Sequence, residues 1–481
     1  MTLDAGLQIV TCQNLLNKYN VANEGRGLVA HRDSLMRFKV QHAVLDTVLF
    51  AIGFLLYLLA NLGSISMVKF IPYAITTLCI WQVTIYTFGG YDYNRIFKIS
   101  HNFRLMLVSC LVAVITTTVF SYVYPAQFKA FTLHYITLIF VSVFYLVRLA
   151  FTKVVSARLP QKNILIYGAG WAGAELLREF GQHEYLKLNV IGFIDDDPTK
   201  TYKRFEGLPV LGSHEDIIKV VDNYDIDAVI FAITKKRKDW VLFTKSELEE
   251  KDVDTVEMPD IYENISGRVP VLHVNNVWHD FYVRLKHRQP YYLYRAYNIC
   301  LAAFFSLVFL PVIPLVILAI KLTSKGPIVY SQKRVGKREK LFTLYKFRTM
   351  RTDAEKFGAV WAQENDPRLT PVGGFLRKSR LDEIPQLINV FKGEMNFVGP
   401  RPERPKFVKQ LNKEIPFYRS RHQVAPGLTG WAQVMMGYVN SVDGSLKKLQ
   451  YDLYYVKNRN IFLDLLILLR TVQVVLTRKG T

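Results

Sequence analysis

ICLAAFFSLVFLPVIPLVILAI, residues Ile299–Ile320, is the stretch on which the fold turns. It is long enough to cross a bilayer, which takes roughly 20 apolar residues. Pro311 and Pro314 interrupt it, and proline removes a backbone hydrogen bond and kinks a helix. Its flanks carry the decisive charge. Arg284, Lys286, Arg288 and Arg295 precede it; Lys321, Lys325, Lys333 and Arg334 follow. Basic residues are retained on the cytoplasmic side, so a true span would leave one of these clusters outside. The sequence therefore predicts a helix over 299–321 that enters the membrane, breaks at Pro311 and returns to the cytoplasmic face. An ordinary, kinked fifth span is the alternative.

Toward the N-terminus lie four further apolar runs, about Ala43–Leu62, Phe70–Phe88, Phe103–Tyr124 and Ala130–Ala150. Each approaches the length of a span. The segment before them is basic, as are the loop holding Arg95, Lys98 and Arg104 and the exit with Arg148, Lys153, Arg158 and Lys162. The two other loops hold one lysine each. The predicted topology is thus a cytoplasmic segment (1–40) and four transmembrane helices (41–152), both ends cytoplasmic. Few ionisable residues lie in the runs, which argues against a transporter.

Composition agrees. Half of the 481 residues are hydrophobic while 21% are charged, as in membrane segments joined to soluble domains. A net charge of +21 beside apolar runs points to an anionic leaflet and anionic substrates. No nucleic-acid module is present, and no nucleic-acid partner is expected. The four cysteines form no CxxC pair, and the histidines show no metal spacing, so neither a disulfide framework nor a zinc site is indicated. No cleavable signal peptide is visible.

Between the apolar halves, residues 160–253 read as a Rossmann-like α/β domain. KNILIYGAGWAGAELLREF is a buried strand, a glycine turn and a helix. Gly168, Gly170 and Gly173 fit GxGxxG, and NVIGFIDDD ends in Asp195 at the distance of a ribose-binding acid. DAVIFAIT supplies a third strand. The same glycines serve equally to pack helix on strand, without any cofactor. A membrane-anchored nucleotide-sensing module is the competing functional class. Residues 254–290 read as short strands linking the halves.

Beyond Gly326 the chain is polar. GPIVYSQKRVGKREKLFTLYKFRTM suggests a hairpin leading to Lys346 and Arg348. Next comes Arg377–Arg404, RKSRLDEIPQLINVFKGEMNFVGPRPER. Pro385 suits a first helical turn, placing Asp382 at or near the N-cap and Glu383 in the first turn. The stretch offers two carboxylates, and arginines for phosphate at an electropositive helix end. Plain capping is the ordinary meaning of such an isolated Asp-Glu pair. The C-terminal IFLDLLILLRTVQVVL is amphipathic, fit for a membrane interface or for capping a core.

KFRTM (346–350), NDPRLTPVG (365–373), LRKSRLDEIPQLINVFKGEM (376–395), VGPRPERP (398–405) and PGLTGWAQV (426–434) together resemble the bacterial sugar transferases in their long form. These are polyprenyl-phosphate hexose-1-phosphate transferases. The resemblance implies a membrane protein of three parts: an α-helical four-helix transmembrane bundle, a Rossmann-like (CoA-binding-like) α/β domain, and a small α/β catalytic domain (291–481) carrying the proline-broken re-entrant helix. It implies UDP-hexose and undecaprenyl phosphate as substrates and Mg²⁺ as cofactor. It also implies a site on the cytoplasmic face of a bacterial inner membrane, with a homodimer plausible for the architecture. Glucose is the expected sugar, with galactose or an N-acetylated sugar as alternatives. By resemblance, Asp382 is the nucleophile and Glu383 the metal-holding partner. Arg401 binds phosphate, while Lys346, Arg348, Arg377 and, less directly, Asp452 line the site. The chain departs from some relatives at the helix break, where Leu310 precedes Pro311 in place of serine.

Overall fold

The computed structural model describes residues 26–60, 67–91, 99–123, 130–157, 161–183, 186–233, 240–273, 291–352, 354, 366–436 and 441–476. Most of the expected N-terminal segment, and positions 274–290 of the expected linker, lie outside them. The chain divides into two compact units, Met1–Ile261 and Tyr262–Thr481.

In the first unit, helices α1 (Arg26–Ala60), α2 (Met67–Thr87), α3 (Ile99–Val123) and α4 (Ala130–Ala157) follow the four apolar runs. They share one core, in which Phe50, Trp81, Leu105 and Phe144 come from the four different helices. Three helices of the whole chain, among the described residues, are long and apolar enough to cross a membrane: Val40–Tyr57, Ser100–Tyr122 and Tyr292–Phe309. Two of the four expected spans, in α1 and α3, meet that measure. The few ionisable groups of the runs are brought together. Arg148 is fully buried and bonds to Asp46 and to the Gly90 carbonyl, and the Tyr91 hydroxyl lies 2.6 Å from Asp46. Gln82 and the His42–Thr152 contact extend the polar network.

The Rossmann-like sheet follows in the same unit: β1 (Lys162–Tyr167), α5 (Trp171–Gln182), β2 (Leu188–Ile194), a small hairpin of β3 (Arg204–Phe205) and β4 (Leu208–Pro209), α6 (Ile217–Asn223), β5 (Ala228–Phe231), α7 (Trp240–Glu250) and β6 (Asp254–Glu257). Its parallel order β2-β1-β5-β6 has the crossover pattern of a doubly wound sheet. The sheet extends past the expected boundary at 253, because β6 pairs with β5 from Asp254 to Glu257. The expected linking strands are corrected in the same place: beyond β6 the chain forms helix α8 (Met258–Ser266) and a short 3₁₀ turn.

The second unit opens with the proline-interrupted apolar stretch. Helix α9 (Tyr291–Phe309) and helix α10 (Val312–Thr323) are separated at Leu310–Pro311, where the sequence predicts the break. The expected hairpin of strands is β7 (Val329–Val335) against β8 (Leu341–Phe347), antiparallel, with Lys346 opposite Tyr330. Then come α11 (Pro371–Lys378), a 3₁₀ turn (Leu381–Gln386) and α12 (Leu387–Lys392). Strand β9 (Asn396–Val398) is followed by α13 (Pro405–Glu414), and β10 (Gly427–Thr429) pairs in parallel with β9. Helices α14 (Trp431–Met435), α15 (Val442–Asn458) and α16 (Ile461–Leu476) close the chain. One core joins Ala302 of α9 and Ile320 of α10 to Phe342, Leu344, Val390, Val398 and Ile467. Both apolar helices are therefore built into the α/β core. Helix α16 caps the core with Ile467, which is buried, whereas Phe462 is 85% exposed.

Candidate active site

Leu381–Gln386 packs on β8, so the Asp382–Glu383 pair meets Lys346. Arg380 starts the turn in the left-handed region (φ 59°), a conformation uncommon outside glycine and characteristic of constrained sites. That sharp reversal after α11 turns both carboxylates inward. Lys346 Nζ stands 2.8 Å from Glu383 Oε1 and 3.4 Å from Asp382 Oδ2. Arg401 and Arg380 approach the same Glu383 oxygen at 3.5 and 3.6 Å.

The expected capping geometry is not what forms. Arg380 holds the N-cap position, and Asp382 caps nothing: its Oδ1 is buried without a hydrogen-bond partner. A buried, unpaired carboxylate oxygen is costly unless function requires it. The two acids are also driven apart electrically. Burial raises Asp382, and the Glu383 charge adds to the rise against the pull of Lys346. Burial also opposes ionisation of Glu383, but Lys346, Arg401 and Arg380 outweigh it and hold that carboxyl well below its usual range. The result is one tightly neutralised carboxylate beside one more basic carboxylate, a pairing that separates their chemical roles.

The remaining expected residues divide. Arg377 belongs to the site: its charge acts on Asp382, and its Nε donates to Thr349 Oγ1 at 3.1 Å. Arg348 does not join the cluster. Strand β8 ends at Phe347, and the Arg348 guanidinium turns to donate to Ser324 O (2.8 Å) and Oγ (2.7 Å), at the foot of α10. Gly326 (φ +120°) leaves the room, since a Cβ there would come within 2.3 Å of Arg348 Nη1. Asp452 also lies elsewhere, buried on α15 in an ion pair with Arg421 at 2.7 Å. Pro311 sits at the break between α9 and α10.

The glycine turn of the first unit has its predicted shape. Gly168 takes φ +116°, Gly170 faces open space, and a Cβ on Gly173 would meet the Gly168 carbonyl at 2.3 Å. Gly173 thus meets a packing demand that needs no ligand. Asp195 is not presented as a ribose acceptor: Oδ2 accepts from Ala169 N (2.8 Å) and Lys200 (3.0 Å), and Oδ1 from Asp197 N (2.9 Å). The carboxylate is spent on its own turn.

Sequence reading missed several residues. Arg295 donates to the carbonyls of Val390 (2.6 Å) and Phe391 (2.5 Å), tying the start of α9 to the end of α12. Asn298 accepts from Phe397 N at 2.8 Å, and Asn389 donates to Thr343 O at 2.7 Å. The available signal was an asparagine at the edge of one apolar run (Asn298) and one inside another (Asn389), at positions where an unpartnered amide is penalised.

The chain matches the bacterial sugar transferase family over residues 290–478 and a CoA-binding domain over 86–259. It is 42% identical to an exopolysaccharide production protein (PSS) of Rhizobium leguminosarum bv. phaseoli, across 39% of this chain and 96% of that one. A UDP-glucose:undecaprenyl-phosphate glucose-1-phosphate transferase of Klebsiella pneumoniae is 30% identical, across 65% and 67%. The chain belongs to the bacterial sugar transferases.

Another relative of this transferase is a UDP-N-acetylgalactosamine-undecaprenyl-phosphate N-acetylgalactosaminephosphotransferase of Aeromonas hydrophila, 40% identical across 47% of this chain and 53% of that one. The transferase thus spans about half the length of the Aeromonas relative. Its family region contains the whole Lys346–Asp382–Glu383–Arg401 cluster.

Proposed function

We propose that this transferase moves hexose-1-phosphate from a UDP-hexose to undecaprenyl phosphate, as the first membrane step of a surface polysaccharide. The observation that carries the reading is the buried, unpartnered Oδ1 of Asp382 beside Lys346, Glu383 and Arg401. Asp382 attacks the sugar-bearing phosphorus; the phosphoanhydride bond breaks and UMP departs. An oxygen of undecaprenyl phosphate then attacks the resulting acyl phosphate, Asp382 leaves as a carboxylate, and undecaprenyl-diphosphate-hexose forms. One activated phosphate bond replaces another at each step, so no further energy source is needed. Splitting the displacement in two is the usual gain from a covalent nucleophile. Phosphoryl transfer depends chiefly on positioning and charge neutralisation, which the surrounding cations supply.

Mg²⁺ fits this site as a metal held mostly by substrate phosphates and water, for the protein offers two adjacent carboxylates, one with an unpartnered oxygen. No group of three candidate ligands occurs among the described residues. Glu383 would hold it beside Asp382, and it would neutralise diphosphate charge.

The setting is a bacterial inner membrane: four spans with cytoplasmic ends, then a re-entrant hairpin. Two ties support the hairpin. Arg295 at its start bonds to α12, and Ser324 at its end bonds to Arg348, within one compact unit. A straight crossing would separate those ends by about 30 Å or more.

The donor is glucose by expectation, and relatives named for glucose and for N-acetylgalactosamine both match. The test is a panel of radiolabelled UDP-sugars incubated with the membrane-embedded protein, undecaprenyl phosphate and Mg²⁺. UMP and a lipid-linked sugar are expected from one of them. Failure of every donor to yield both products would end the proposal.

A further inference from the structure

The Arg401 side chain is aimed by a turn, Gly399–Glu403, in which both prolines lack an N–H, so its geometry must be held largely through its carbonyls. Each carbonyl from Pro400 to Glu403 has a donor. Gly427 N bonds to Pro400 O (3.1 Å), and Val335 N to Glu403 O (3.0 Å). The two between them are taken by side chains: Arg421 Nη2 donates to Arg401 O and Arg334 Nη1 to Pro402 O, both at 3.0 Å.

Arg421 is an unusual choice of clamp. Its side chain is 1% exposed, and burying a guanidinium is expensive unless its charge and donors are matched. Here the charge is matched by Asp452 at 2.7 Å, and both terminal nitrogens have acceptors, Nη1 donating to Tyr418 Oη at 2.7 Å and Nη2 to Arg401 O; only Nε is buried without a partner. Arg334 lies 3.9 Å from Glu403, which also pairs with Lys448. The guanidinium fork is rigid, so each bond it makes fixes a direction as well as a distance. The bonded carbonyl belongs to Arg401 itself, whose own guanidinium emerges beside Glu383.

We propose that Arg421, with Asp452 as its buried counter-ion and Arg334 beside it, is a positioning residue that fixes the Gly399–Glu403 turn and so aims Arg401 at the donor's diphosphate. Arg421 touches no reacting atom; it acts through Arg401. The inference rests on the proposed transfer reaction for its kinetic consequence, but not for the rigidity of the turn.

The experiment therefore has two readouts on the full-length protein. In a kinetic cycle, Arg421→Gln alone should lower kcat/KM for the UDP-sugar at least about tenfold. Added to Arg401→Ala, it should cost no more than about twofold further, because coupled residues are not additive. Losses that simply multiply would overturn the inference. Arg421→Gln leaves Asp452 unpaired, so the Arg421→Gln/Asp452→Asn pair, without a buried net charge, provides a variant expected to fold. Hydrogen exchange is the second readout and needs no turnover. The Gly427 and Val335 amides should exchange at least about tenfold faster in that pair than in the parent, since local opening governs exchange. Unchanged protection there would overturn the inference even in an active enzyme. A parent protein inactive with every donor, together with the faster exchange in the pair, would reject the reaction and keep the clamp.

Discussion

Asp382 and Glu383 are neighbours in sequence with different electrostatic surroundings, and that difference supports the proposed division of their roles. Glu383 receives three cations, whereas Asp382 keeps a buried oxygen free of partners. Asp382→Asn preserves the shape and removes the proposed nucleophile, so UMP release should fall at least about 10³-fold with little change in thermal midpoint. Substantial residual turnover would reject attack by Asp382. A second expectation concerns acid stability. Burial, then the charges of Arg421 and Arg419, depress His422 from 6.5 to about 3. The unfolded chain therefore takes up this proton first, and stability declines as pH falls from 6.5 toward 3, by up to about 1.4 kcal/mol per pH unit. Glu403 acts lower down: burial opposes its ionisation, yet Lys448 and Arg421 depress it from 4.5 to about 2. Its contribution is present above pH 4.5 and is lost as pH falls toward 2. His422→Gln should consequently flatten the thermal-midpoint profile between pH 6.5 and 4.5 and spare the steeper fall below it. An unaltered slope in the upper window would contradict the depressed histidine.

Helix α11 shows how an element is pressed into place. Its adjacent glycines have different surroundings: a Cβ on Gly373 would lie 2.0 Å from the Thr349 carbonyl, and one on Gly374 meets nothing within 4 Å. The close approach lets Arg377 reach Thr349, beyond the end of β8. Gly373→Ala should destabilise by about 2 kcal/mol or more through overpacking, while Gly374→Ala should gain about 0.5–1 kcal/mol of helix stability. Equal shifts in denaturation midpoint would refute the packing. The helix bundle carries a comparable demand in the Asp46–Arg148 pair. Arg148→Ala strands a buried carboxylate and should cost about 3–5 kcal/mol, whereas Asp46→Asn/Arg148→Met should recover most of the loss. If the double exchange is no more stable than Arg148→Ala, the pair is not what the bundle depends on.

At the scale of the molecule, the proposed re-entrant path of α9 and α10 is what would set where chemistry meets the lipid. Their apolar outer face, including Leu307, Leu310 and Leu315, is exposed, while Ala302, Val316 and Ile320 are buried in the α/β core. Single cysteines at Tyr292 and Lys325, in a cysteine-free background, should both react with an impermeant reagent from the cytoplasmic side. Labelling from opposite sides would establish a full span.

Much of this was legible in the linear chain. Apolar run length located α1 to α4, Pro311 located the break, and alternation and glycine turns located the hairpin strands and the Rossmann-like sheet, because these depend on local periodicity and backbone stereochemistry. Motif order also pointed to Asp382, Glu383, Lys346 and Arg401. Three-dimensional packing decided the rest. It showed that Asp382 caps nothing, that Arg348 and Asp452 lie away from the carboxylate cluster, and that Asp195 bonds to the glycine turn and to its own turn. It also brought Arg421 from a distant 3₁₀ turn to the carbonyl of Arg401. The reason is physical: the partner of a buried charge is chosen by proximity in the folded core, and residues twenty or more positions apart carry no local signal that they will meet.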